Sequence, residues 1–244
     1  SRHAEIASVL VQHIYDNRER STIETVSVAD AVARMGKRGR KKGPVVVADF
    51  ADNPGGGGYG DATGLLKGML EAGLDDAAFA NMYDPEAAAI CARAGQGAEV
   101  TLTLGGRLDP STGAPIEVSG TVERISDGQF ALEGPMSKGV KVKAGTTAVL
   151  RVGAPSSRRR SKAGFDVVIT SRRYQVYDLN FFRHAGIDPA RKKFVAVKSA
   201  HHFRAAFGPI ASEIILVDEG GGITSRNFKR LPYRKVRRPV WPLD

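Results

Sequence analysis

Apolar residues Ile6, Val9, Leu10 and Ile14 recur at intervals of three and four, which predicts an amphipathic helix over residues 5–17. Ser27 stands as a cap signal before Ala29–Arg34, a second short helix. Val45-Val46-Val47-Ala48 is an unbroken, mostly β-branched apolar run and reads as a buried strand. A glycine-rich stretch bracketed by acids follows, and Leu65 to Ala72 then resumes a helical pattern. Phe79 to Asp84 reads as a poor strand. Asp84-Pro85-Glu86 joins a capping acid to a proline at the first helical position, and that helix stops near Gly95.

From about residue 97 the texture turns to β, with strands expected at 99–104, 117–122 and 146–152 between Gly, Asp and Pro turns. Alternation of strand and helix returns with a strand at 165–170, a helix from Asp178 to His184 closed by Gly186, and a strand at 194–197. A helix from His201 to Ser212 and a strand at 214–218 complete the series. The predicted fold is α/β: a mostly parallel sheet with covering helices, plus a β-rich antiparallel subdomain over about residues 97–154. Residues 1–42 read as leading helices and a basic linker, and 43–244 as the main domain.

The 244 residues are 42% hydrophobic and 25% charged, a globular composition, and no apolar run reaches membrane-spanning length. A lone cysteine, Cys91, excludes an internal disulfide and, with no signal-peptide pattern, leads us to expect a soluble, cytoplasmic protein. The net charge of +10 gathers in Lys37–Lys42, Arg158–Lys162 and Lys229–Arg238. No nucleic-acid module accompanies these clusters, so solvated loops are the expectation and a nucleic-acid partner is disfavoured.

Candidate chemistry begins with Asp52-Asn53-Pro54-Gly55-Gly56-Gly57-Gly58-Tyr59-Gly60-Asp61, between a strand and a helix. Glycines permit close backbone approach and positive φ, and free N–H groups there would suit a ligand. Gly55 and Gly60 have Walker A spacing, but Asp61-Ala62 stands where Lys and Ser or Thr are needed. Gly55, Gly57 and Gly60 satisfy the dinucleotide fingerprint, without a clear second strand and acid to complete it. The second constellation is Lys198-Ser199-Ala200-His201-His202-Phe203-Arg204, where a strand gives way to a helix. Lys198, His202 and Arg204 there suggest an anion-attracting corner that could pair with Asp52 or Asp61.

Metal and nucleophile signatures are absent. Five histidines show no zinc spacing, His201 and His202 are adjacent and poorly placed to share an ion, and no G-x-S-x-G elbow occurs. No metal site is therefore expected in this chain, and no catalytic residue is assigned.

Several short motifs together carry a resemblance. They are Asp52-Asn53-Pro54-Gly55-Gly56-Gly57 with Gly60-Asp61, Asp84-Pro85-Glu86-Ala87 and Leu104-Gly105-Gly106. Lys198-Ser199 with His202-Phe203-Arg204-Ala205, and Arg238-Pro239-Val240-Trp241-Pro242-Leu243-Asp244, complete the set. In this order they resemble the C-terminal half of the microcystinase C (MlrC-type) metallopeptidases, over about residue 43 to the end. The resemblance implies a zinc-dependent amide hydrolase whose zinc ligands lie in an N-terminal α/β domain. That domain has no counterpart here, and Ser1 to Arg20 resembles the helix following it. The implied partners are that domain and a short peptide or amide substrate, with linearised microcystin as the family's named one; homo-oligomer formation stays open.

On that basis Asn53 and the N–H groups of Gly55, Gly56, Gly57 and Gly58 are expected to orient substrate backbone. Lys198 and Arg204 are expected to hold a substrate carboxylate and His202 to belong to the same substrate-binding set, with Asp52 and Asp61 supporting the loop. Tyr59 departs from the small residue or proline usual in the family. The alternative is a non-catalytic nucleotide- or nucleic-acid-binding module built on the same loop and basic surface.

Overall fold

In the computed structural model, which describes residues 2–37, 39, 42–152, 164–219 and 222–244, Val45–Asp49 forms strand β1, buried at every position. It is flanked in parallel by β10 (Glu213–Val217) and β9 (Phe194–Val197). Beyond β9 lie β2 (Ala77–Tyr83) and β8 (Phe165–Thr170), also parallel. Antiparallel strands β7 (Thr147–Val152), β4 (Ile116–Ser126) and β3 (Glu99–Leu104) continue the same sheet. The eight-stranded order is β10-β1-β9-β2-β8-β7-β4-β3. Strands β5 (Gln129–Ala131) and β6 (Lys141–Lys143) form a separate two-stranded sheet. The β-rich middle therefore joins the parallel half edge to edge, through β7 and β8.

Successive strand residues face opposite sides, and the core divides accordingly. Val45 and Val47 join Ala31 and Met35 of α2 (Val28–Gly36), Leu65, Leu66 and Met69 of α3 (Gly64–Glu71), and Cys91 of α4 (Pro85–Ala94). Val46 and Ala48 join Phe181 and Phe182 of α5 (Asn180–Arg183) and Phe207 of α6 (Arg204–Phe207), with Leu132 and Val142 from beside and within the small sheet. Burial on both sides explains why β1 reads as a continuous apolar run.

Two expectations are corrected. The poor strand is β2, a strand inside the sheet whose Ala77 to Met82 are all buried. Its Ala, Asn and Met content is weakly β-forming, and pairing on both sides overrides that local preference. The helix expected from His201 to Ser212 is only the four residues of α6, followed by a 3-10 turn over Gly208–Ile210. Pro209 has no backbone N–H, so it cannot donate the bond that would continue an α-helix past Gly208.

The first helix, α1 (Arg2–Asp16), has no buried residue and leaves Ile6, Val9, Leu10 and Ile14 at least half exposed. Ser27 caps α2 by accepting from Asp30 N, as its sequence position suggests. The cluster Arg158–Lys162, with Arg38, Arg40 and Lys41, lies outside the described residues. Among the described residues no helix is long and apolar enough to cross a membrane.

Candidate functional site

Parallel strands deliver their following loops to one edge of the sheet, the usual ligand edge of open α/β folds. Here that edge carries Asp49 at the end of β1, Asp84 after β2, Thr170 at the end of β8 and Lys198 after β9. The two segments singled out in the sequence therefore meet.

Lys198 is the centre of that meeting, and it is fully buried. Its Nζ donates to Asp49 Oδ2 at 2.7 Å, to Asp52 Oδ2 at 2.8 Å and to Ala62 O at 2.8 Å. An ammonium has three donors, and all three are used. Burial raises the Asp49 carboxyl above its ordinary range, against the pull of Lys198 and helped by the neighbouring Asp52 charge. Burial also acts upward on Asp52, but Lys198 and the N–H groups of Gly60 and Ala62 outweigh it and hold that carboxyl low. Lys198 resists its own burial because both acids favour its charge, and its pKa is pushed up to about 12.

Asp52 also clamps the glycine loop, accepting from Gly60 N at 2.7 Å and Ala62 N at 2.8 Å. The loop itself is a 3-10 turn over Pro54–Gly56, ended by Gly57 at φ 98°. Its donors turn inward. Gly55 N reaches Asn53 Oδ1 at 3.1 Å, Gly56 N and Gly58 N both reach Asn53 O at 2.9 Å, and Gly57 N reaches Pro54 O at 3.2 Å. Crowding requires glycine at position 58, where a Cβ would lie 2.7 Å from Asn53 N; at Gly55 a Cβ would lie 2.0 Å from Gln175 Oε1, the end of a side chain that packs against the loop.

These contacts revise the expected roles. The N–H groups of Gly55 to Gly58 are occupied within the loop, so they do not offer the donor cradle expected for substrate backbone or a nucleotide phosphate. Asn53 caps the loop with its side chain and is anchored from Thr224 Oγ1 through its own N–H at 3.0 Å. Lys198 is a strut between two acids and holds no donor for a substrate carboxylate. Asp61 accepts from the N–H groups of Arg107 and Leu108, each at 3.0 Å, and so does support the neighbouring turn. Arg204 is exposed on α6 and lines a hollow with Glu24, Arg34 and Ile214; among the described residues it forms no ion pair with Asp52 or Asp61. His202 does reach the loop, through Gln175: its Nδ1 lies 3.2 Å from Gln175 Oε1, while Gln175 Nε2 donates to Ser199 Oγ at 3.0 Å.

Sequence reasoning missed Gln175, Thr224 and the pair Arg107–Asp84, which joins the turn after β3 to the cap of α4 at 3.4 Å. Gln175, Thr224 and Arg107 are isolated polar residues in loops with no local pattern to mark them, and the sequence marks Asp84 as a helix cap, not as a partner of Arg107. Asp84, the acid that a dinucleotide site would assign to a ribose, is instead committed to Ala87 N, Gly105 N and Arg107. No three His, Cys, Asp or Glu side chains converge as a metal ion requires among the described residues.

The family model for the MlrC C-terminus matches residues 47–235, from within β1 to beyond the last strand. The chain belongs to the MlrC C-terminal family. It is 30% identical over 205 residues to microcystinase C of Sphingomonas sp., a match covering 82% of this chain and 36% of that protein. A solved structure named "Putative metallopeptidase", from Mesorhizobium sp. BNC1, superposes with a TM-score of 0.74 at 25% identity, covering 95% of this chain and 43% of the other. The MlrC C-terminal chain thus spans about four-tenths of the length of these relatives. Its fold agrees with that structure over 95% of this chain.

Proposed function

We propose that this MlrC C-terminal chain forms one wall of the substrate cleft of a zinc-dependent peptidase or amide hydrolase acting on short peptides. The supporting observation is the buried Asp49–Lys198–Asp52 group, which locks a self-closed glycine loop at the carboxyl edge of the parallel strands. Such a loop offers a rigid rim with fixed shape, the kind of element that holds a substrate in register while chemistry occurs beside it. Among the described residues, no group of side chains fits a metal site. The zinc is therefore proposed to sit in a portion of the polypeptide outside this chain, consistent with the lengths of the relatives. The uncovered apolar face of α1 is proposed to pack against that portion.

In this reading Asn53 and the glycines act through loop shape, and His202, held by Gln175, is the side chain closest to substrate among the expected cations. Linear peptides incubated with the full-length polypeptide test the proposal. Cleavage sensitive to a zinc chelator is expected, with Gly58→Ala raising KM and leaving zinc content unchanged. Absence of peptide cleavage by the zinc-loaded polypeptide would defeat the reading.

A further inference from the structure

At the same edge, Arg173 stands in the loop after β8 with its guanidinium 5.6 Å from the Tyr59 ring centre and 5.0 Å from that of Tyr83. Tyr59 belongs to the glycine loop and Tyr83 ends β2, so the three residues bridge two loops and a strand. Gly60 makes the close approach available: a Cβ there would lie 3.3 Å from Tyr83 Cβ and 3.6 Å from Arg173 Cγ, in a backbone at φ +79°. Arg173 is exposed, and among the described residues it has neither an ion pair nor a side-chain hydrogen bond.

The surrounding charges make this position distinctive. Asp49, Asp52, Asp61 and Asp84 are all buried at the same edge. Asp49 and Asp52 both contact the Lys198 ammonium, Asp61 accepts backbone N–H groups through Oδ2 while its buried Oδ1 has no hydrogen-bond partner among the described residues, and Asp84 is bound to N–H groups and Arg107. The acids therefore turn inward while a cation held by aromatic faces remains outside. Aromatic contact restrains the guanidinium plane yet leaves its N–H edge free, and that edge matches two oxygens of a carboxylate. A phosphate would gain from additional donors, but the N–H groups of Gly55 to Gly58 are already taken.

We propose that Arg173, positioned by Tyr59 and Tyr83, is a carboxylate-binding residue that selects peptides carrying a free carboxylate. The inference rests on the peptide-cleft reading above and adds to it the anionic group recognised. The carboxylate comes from either the peptide C-terminus or an acidic side chain, and three probes distinguish the sources: N-acetyl-trialanine, its C-terminal amide, and an amidated N-acetyl-Ala-Glu-Ala.

The experiment is an NMR titration of the protein, following the arginine Nε–H resonances, with the Arg173 signal assigned by its loss in Arg173→Lys. Trialanine acid is expected to shift that signal and to bind at least tenfold more tightly than its amide. A glutamate side chain as the true source would reverse the order between the acid and the amidated Ala-Glu-Ala peptide, still supporting carboxylate binding. Arg173→Met should reduce carboxylate binding to the level of the trialanine amide, and Arg173→Lys should recover part of it. Tyr59→Phe should retain binding and Tyr59→Ala weaken it. Arg93→Met, on the far end of α4, serves as a folded control that keeps the preference.

Binding of both carboxylate-bearing peptides no tighter than that of the trialanine amide, no carboxylate-dependent shift at Arg173 up to millimolar peptide, or a preference that survives Arg173→Met would overturn the proposal. So would inorganic phosphate competing as strongly as the peptide acid. The outcome is separable from peptidase activity: carboxylate binding without cleavage would sink the peptidase reading alone, while cleavage indifferent to Arg173 would sink the anchor alone.

Discussion

Lys198 Nζ lies 2.8 Å from Asp52 Oδ2, and neither side chain reaches solvent. This contact ties the turn after β9 to the glycine loop after β1, and Asp52 passes the restraint on to Gly60 and Ala62. The loop is consequently rigid for an electrostatic reason, and its stability should respond to charge changes made far from any ligand.

Lys198→Met is expected to destabilise the fold by roughly 3–5 kcal/mol, the range for leaving a buried charge unpaired. Urea denaturation measures it. The double variant Lys198→Met with Asp52→Asn should recover part of the loss by removing the orphaned charge. A single-variant cost below about 1 kcal/mol would show that the group carries little of the loop's stability.

The pH dependence has opposite signs within this group. Asp52, held low, contributes stability that is present above its unfolded value of 3.8 and is lost as pH falls through its folded value. Asp49, raised, contributes stability that is present below 3.8 and is lost as pH rises through its folded value. Lys198 contributes fully below 10.5 and loses its contribution as pH rises through about 12. Urea midpoints followed across pH should therefore decline at the alkaline end in the wild type, and that component should vanish in Lys198→Met. Carboxyl NMR should show the Asp49 pKa falling in Asp52→Asn, since a like charge beside it has gone.

Gly57→Ala and Gly58→Ala separate conformation from crowding. Gly57 has φ +98° but open space around its Cβ position, so its cost should stay near 1–2 kcal/mol. At Gly58 the Cβ would meet the Asn53 backbone at 2.7–2.9 Å, which side-chain motion cannot relieve. Gly58→Ala should therefore be the more damaging in thermal unfolding, and the reverse order would contradict this account of the loop.

Removing residues 2–16 should change stability by less than about 1 kcal/mol, because α1 buries none of its residues. Calorimetry on the shortened chain is the check. A large loss would mean that α1 contributes to the fold through contacts beyond those described.

Local sequence determined a good part of this molecule. The run Val45–Ala48 could satisfy its burial only as an inner strand, and Ser27 and Asp84-Pro85 set helix starts through bonds spanning three residues. The short motifs also marked the glycine loop and the Lys198 turn as parts of one edge, because parallel strands bring their carboxyl ends together. What each side chain does there was decided only by the tertiary structure. Lys198 has the same local sequence whether it points at solvent or at two carboxylates from a segment 146–149 residues away; packing chose the second and used up its donors. Arg204, on a four-residue helix, lines a surface hollow shared with Glu24 and Arg34 and forms no ion pair with Asp52 or Asp61 among the described residues. Arg173 carried no motif at all, and it stands out only where Tyr59 and Tyr83, distant in sequence, close around it. Periodicity and capping act over a few residues and can be read along the chain, whereas charge pairing and burial depend on neighbours that only the folded sheet supplies.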